Sequence, residues 1–102
     1  MNDANLNNLK RVFTKDPQIA LGVQKILLLD SKIGKAKIHY KVKKNMCHSK
    51  NIAQGGFITG WLDASMALAC MANVGEDVLV LSLEIKTTFL SIVTIGDVFA
   101  EG

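Results

Sequence analysis

From residue 35 to residue 43 polar and apolar side chains alternate without a break. Lys35, Lys37, His39, Lys41 and Lys43 share one side, and Ala36, Ile38, Tyr40 and Val42 share the other. Successive strand side chains point to opposite faces, so this pattern predicts an antiparallel strand with one wet face and one packed face. Residues 24–30 just before it are rich in Ile and Leu and read as a buried strand, with Ser31-Lys32-Ile33-Gly34 as the hairpin turn between the two. Further upstream Leu6, Leu9, Lys10 and Phe13 fall at helical spacing, which predicts a short helix over 5–14. Pro17 ends it, and Gly22 marks a turn. Residues 45–56 are mostly polar and close on Gly55-Gly56. The following run, Phe57 to Asn73, is apolar on every side except at Thr59, Asp63 and Ser65, and such a helix is expected to be buried all round. Asn73 and Gly75 form its stop. Val78 to Leu90 alternates again, with Leu79, Leu81, Leu83, Ile85 and Phe89 on one face and Ser82, Glu84, Lys86 and Thr88 on the other, so a long strand is expected. Ile95-Gly96-Asp97 is a turn, and Val98-Phe99-Ala100 opens another strand. The expected class is α+β: about four mostly antiparallel strands and one buried central helix.

Composition narrows the class further. The chain of 102 residues is expected to form one domain, 1–102. With 49% hydrophobic and 21% charged residues it is not a disordered segment. A formal charge of +3 suits an anionic ligand but does not call for nucleic acid. The lysine-bearing face reads as a solvated sheet face, because one tyrosine nearby is not a base-stacking set. Cys47 and Cys70 form neither a disulfide framework nor a zinc site and are expected to be reduced thiols of a cytoplasmic protein. The opening residues lack a signal-peptide pattern, and the apolar run Phe57–Ala72, which carries Asp63, is shorter than the roughly 20 residues of a membrane span.

Candidate chemistry centres on Asp63, the only charged residue between Lys50 and Glu76. A buried carboxylate is costly unless it is paired or hydrogen-bonded, and such groups cluster at functional sites. The bland reading is a structural Asp satisfied by a nearby backbone group or hydroxyl. Gly55 and Gly56 stand just before the helix, where free N–H groups attract anions and polarise carbonyls, and two glycines let a substrate approach closely. The bland reading there is a tight turn. His48 and Gln54 can each donate a hydrogen bond to a carbonyl oxygen. Cys47 and His48 are adjacent and point apart, which argues against a nucleophile pair. Met46, Met66 and Met71 read as core fillers.

The segment His48-Ser49-Lys50-Asn51-Ile52-Ala53-Gln54-Gly55-Gly56-Phe57-Ile58-Thr59-Gly60-Trp61-Leu62-Asp63 resembles the signature of the PaaI-type branch of hotdog thioesterases. In that signature a polar residue and a short loop precede Gly-Gly, and an Asp follows seven residues after the second Gly. The run Ser82–Leu90 followed by Gly96-Asp97 resembles the family's long strand and the turn after it, so the likeness covers roughly residues 18–102. It implies a hotdog fold, an antiparallel sheet wrapped around one long central helix, with roughly two further strands beyond Gly102. On that basis the chain is expected to be C-terminally truncated, with an open sheet edge. It also implies hydrolysis of an acyl-CoA thioester without metal or cofactor. Asp63 falls on the catalytic carboxylate, as nucleophile or as general base for water. Gly55 falls on the N–H that polarises the carbonyl, His48 on a polar residue helping to hold it (Asn or Gln is more usual), and Ser82 on a hydroxyl that positions water or substrate. Gln54 stands where His is common, and Ile92 where a proline is frequent.

Gly55 and Asp63 are eight residues apart, about 12 Å along a helix at roughly 1.5 Å per residue. One thioester carbonyl cannot touch both within a single chain. The expected assembly is therefore a homodimer or dimer of dimers with interfacial sites, as the resemblance also implies. The alternatives are a non-catalytic acyl-CoA-binding module and an inactive truncated relic. The sequence leaves the acyl chain open.

Overall fold

The computed structural model describes residues 2–102. Helix α1 (Asp3–Val12) is followed by strands β1 (Val23–Asp30) and β2 (Lys35–Val42), then by the long helix α2 (Gly55–Val74) and strand β3 (Gly96–Glu101). Two short 3-10 turns, Lys44–Met46 and Ser49–Asn51, lie in the connection from β2 to α2. The three strands form one antiparallel sheet in the order β1-β2-β3.

β2 is the central strand, paired with β1 on one side and β3 on the other, and its alternation sets its two faces. Ala36, Ile38, Tyr40 and Val42 are all fully buried, and the lysine-bearing side faces outward. α2 lies across the packed face with Trp61, Ala64, Ser65, Leu68, Ala69 and Ala72 inward, spaced by three or four residues. Fully burying a Leu or Ile contributes roughly 1.5–3 kcal/mol, so Leu68 and Ile38 are principal contributors to this contact. Three alanines on the packed stripe bring the helix close to the sheet. The approach is tightest at Gly102, where a side chain would run into the Ser65 backbone.

The turns between α1 and β1 are fixed by polar bonds into the core. The buried Tyr40 hydroxyl donates to Gln18 Oε1 at 3.0 Å, and the Trp61 indole N–H donates to the Leu21 carbonyl at 2.8 Å. Gly22, with φ +80, closes this turn against Lys41, whose N–H donates to the Gly22 carbonyl at 2.8 Å.

Three expectations are corrected. α2 begins at Gly55, so Gly55 and Gly56 are its first residues and not a loop before it. Nor is α2 buried all round: Met66 and Cys70 are exposed and Asp63 and Ala67 half-buried, because the sheet covers only one side of the helix. Most consequentially, residues 78–90 form no ladder. Leu79 is 81%, Leu83 100% and Leu90 90% exposed. The alternation is present, but among the described residues no strand lies beside it, and a strand needs a neighbour for its N–H and C=O groups. The sheet therefore has three strands, against about four expected. α2 is also long and apolar enough by composition to cross a membrane. Its packed stripe on the sheet accounts for that composition as a core helix.

Candidate functional site

The predicted residues separate into two groups along α2. The first lies at its N-terminus. Gln54 is the N-cap residue, yet its side chain makes no cap hydrogen bond, so the first N–H groups of the helix keep no side-chain acceptor. The loop before it is pinned on both sides. The Ala53 N–H donates to the Val93 carbonyl at 2.7 Å and the Gln54 N–H to the Met46 carbonyl at 2.9 Å. Within the loop Lys50 and Asn51 both adopt left-handed backbone, with φ 57 and 58. A non-glycine residue held there costs of order 1–3 kcal/mol and persists only where the surroundings enforce it. His48 is exposed. Its N–H donates to the Ile52 carbonyl at 2.9 Å, and its ring Nδ1 lies 3.2 Å from Ser49 Oγ. Phe89 stands over Gly55, its ring about where a side chain at that position would begin: a Cβ there would sit 3.1 Å from Phe89 Cζ.

The second group lies two turns further along. The Ser82 hydroxyl donates to Asp63 Oδ1 at 2.6 Å, in the short range of charge-assisted O–H···O⁻ bonds. This bond, together with Thr59 Oγ1 to Thr87 Oγ1 at 3.1 Å, ties the unpaired segment to α2. Around the carboxylate is a cleft of about 220 Å³, walled by Met66, Ala67 and Cys70 from the helix and by Val80, Glu84 and Ile85 from the segment. The sequence marked none of these wall residues as part of a site, and read Met66 as a core filler. The signal for the helical three was their spacing of three, four and seven from Asp63.

The structure thus brings Asp63 and Ser82 together and leaves His48, Gln54, Gly55 and Gly56 at the other group. α2 runs unbroken from Gly55 to Val74, so the two groups are separated by about 12 Å of helix. Among the described residues no three His, Cys, Asp or Glu side chains gather into a metal-binding set.

A further polar pair, also missed, lies on the outer face of the sheet. His39 Nε2 is 2.8 Å from Asp97 Oδ1, and the His39 ring stacks on Phe99 at 4.9 Å. The hydrogen bond from His39, with Lys41 nearby, holds the Asp97 carboxyl below the usual carboxylate range. Lys35, 2.9 Å from Glu101, lowers that carboxyl likewise. Each pair joins residues on neighbouring strands, a proximity that only the β2–β3 register creates.

An antiparallel sheet packed on one long helix is the architecture of the α+β hotdog fold. Solved structures with the same fold include a PaaI protein and a putative thioesterase. Superposition on a putative thioesterase, a phenylacetic acid degradation-related protein from Ralstonia eutropha, gives a TM-score of 0.81 at 20% identity over 95% of this chain and 74% of that one. A mutant of the phenylacetic acid degradation protein PaaI from Thermus thermophilus gives 0.70 at 25% identity over 84% and 70%. A conserved protein from Pseudomonas aeruginosa gives 0.77 at 22% identity over 89% and 71%. The sequence matches no protein-family model and no curated protein.

Proposed function

We propose that this chain is a cytoplasmic acyl-CoA thioesterase that works as a homodimer or dimer of dimers. The observation that carries the reading is Asp63, a lone acid on the central helix, opening on a cleft and oriented by Ser82. Support comes from the fold shared with a putative thioesterase and with PaaI.

In this reading Ser82 occupies Oδ1 and leaves Oδ2 with no protein donor among the described residues. Oδ2 accepts a proton from water as the water oxygen attacks the thioester carbonyl carbon. The C–S bond then breaks, and the proton passes to the departing CoA thiolate. Attack by the carboxylate itself, followed by hydrolysis of the anhydride, gives the same products. The developing oxyanion is met by the Gly55 N–H at the positive end of an α2 dipole. With His48, Gln54 and Gly56 it forms the carbonyl-holding half. The separation of about 12 Å means that this half comes from the second chain.

Replacing Asp63 by Asn preserves shape and the acceptor for Ser82 but removes the base or nucleophile. Turnover of an acyl-CoA panel should fall on the order of 10²-fold or more, with the melting temperature little changed. Full turnover in a clean Asp63→Asn preparation sinks the assignment.

A further inference from the structure

Asp63, Met66, Ala67, Cys70 and Met71 follow one another at helical spacing and make a single stripe on α2. Facing that stripe is the unpaired segment from Val78 to Ile85. The cleft at Asp63 takes Met66, Ala67 and Cys70 from the stripe and Val80 from the segment. Beyond it lies a second cavity of about 280 Å³, lined by Met71 from the stripe, by Val78, Leu79 and Val80, and by Leu9 and Val12 of α1. Val80 is a wall of both. The second cavity therefore adjoins the first along the helix, and Leu9 and Val12 of α1 stand on its far side.

We propose that the two form one channel and that it takes an unbranched, uncharged aliphatic acyl chain of medium length, with α1 as the end wall. This rests on the reading of the Asp63 cleft as the thioester site. Length is set by the helix. From Asp63 to Met71 is about 12 Å at roughly 1.5 Å per residue. A saturated chain advances about 1.25 Å per bond, from bonds of about 1.52 Å meeting near 111°. About eight to ten carbons then reach from the carboxylate to Met71. Chemistry is set by the lining. The side chains named are apolar, and the only charged ones along the channel besides Asp63 are Glu84 and Glu76. An acyl chain with a terminal carboxylate would meet like charge there. Around the second cavity Val12, Val78 and Leu79 are 50%, 52% and 81% exposed, apolar surface that such a chain would cover.

The test uses S-alkyl-CoA thioethers, which bind but cannot be hydrolysed, titrated calorimetrically into wild type and into Val12→Trp and Leu79→Trp. Both positions are exposed, so the indole fills the cavity without entering the core. Wild-type affinity is expected to rise with each added carbon by up to about fourfold, the equivalent of about 0.8 kcal/mol per buried methylene, and to level off near ten carbons. In both variants the plateau should come several carbons earlier, with S-ethyl-CoA binding unchanged. Equal binding of ethyl and decyl thioethers overturns the proposal, as does absence of thioether binding or a plateau that neither variant moves. If the substitutions alter only oligomer size, the occupant is a second copy of the chain and the proposal also fails. Because the titration needs no turnover, it separates this idea from the hydrolase reading. A chain-length ladder in a protein that hydrolyses nothing leaves the channel standing, and hydrolysis without the ladder removes only the channel.

Discussion

Consider a pair of variants that damages opposite ends of the same stretch of helix. Asp63→Asn removes the proposed base, and Gly55→Val places a branched side chain over the first N–H groups of α2, where even a Cβ would meet Phe89 at 3.1 Å. Between the two positions the helix is continuous, and the eight residues amount to about 12 Å. A thioester carbonyl and the group that attacks it must lie within about 3–3.5 Å of each other, so one chain cannot supply both halves. In a dimer with interfacial sites, each homodimer has a lesion in both sites and should be nearly inactive, down on the order of 10²-fold or more. A heterodimer is different: one site collects both lesions and the other none. Unfolding the two variants together and refolding them gives about half heterodimers if pairing is random across an isologous interface. The mixture should then recover about a quarter of wild-type activity per site. The assay is thiol release from acyl-CoA, with native mass spectrometry counting the heterodimers. If heterodimers form and the mixture stays as dead as its parents, both residues serve one site within one chain, and the distance argument is wrong.

Further outcomes follow from the core and the sheet edge. Tyr40→Phe leaves the buried Gln18 Oε1 without its donor and should cost about 1–3 kcal/mol by urea denaturation, much of it recovered in the double variant with Gln18→Leu. Burial pushes the Tyr40 hydroxyl up, so its contribution is fully present below the ordinary phenol value of about 10 and is lost as pH rises beyond it. Tyr40→Phe should flatten that alkaline loss in a pH series of melting temperatures. Gly22→Ala must adopt φ +80 and would run its Cβ into the Lys41 carbonyl, so a loss above about 1–2 kcal/mol is expected in the same denaturation assay. Asp97 and Glu101 carry lowered values, so their contribution is present above the ordinary carboxylate range near about 4 and lost as pH falls through the lowered values; Asp97→Asn should shallow the acid limb of the urea midpoint.

Much of the fold is legible in the chain because its elements rest on local periods. The two-residue alternation of 35–43 placed β2 and its buried side correctly, and the stop at Asn73 and Gly75 is the observed end of α2, where the Gly75 N–H donates to the Met71 carbonyl at 3.0 Å. Asp63 stood out as a lone charge in an apolar helix, and the structure gives it a hydroxyl partner. The same local rule misled at Val78–Leu90. Alternation says which side chains share a face, but a strand is made by the neighbour that takes its hydrogen bonds, and among the described residues none does. Local pattern likewise made α2 look buried all round, since hydropathy cannot count how many faces the sheet will cover.

The sequence by itself therefore determined the two helices, the β1–β2 hairpin and the acid at the centre of the candidate site, for these depend on neighbours a few residues apart. The tertiary structure alone decided what meets across long separations. Ser82 reaches Asp63, His39 reaches Asp97 across the β2–β3 register, and Leu9 and Val12 of α1 meet Met71 and Leu79 around one cavity. Such contacts come from packing a helix on a twisted sheet, and no short-range period in the chain encodes them.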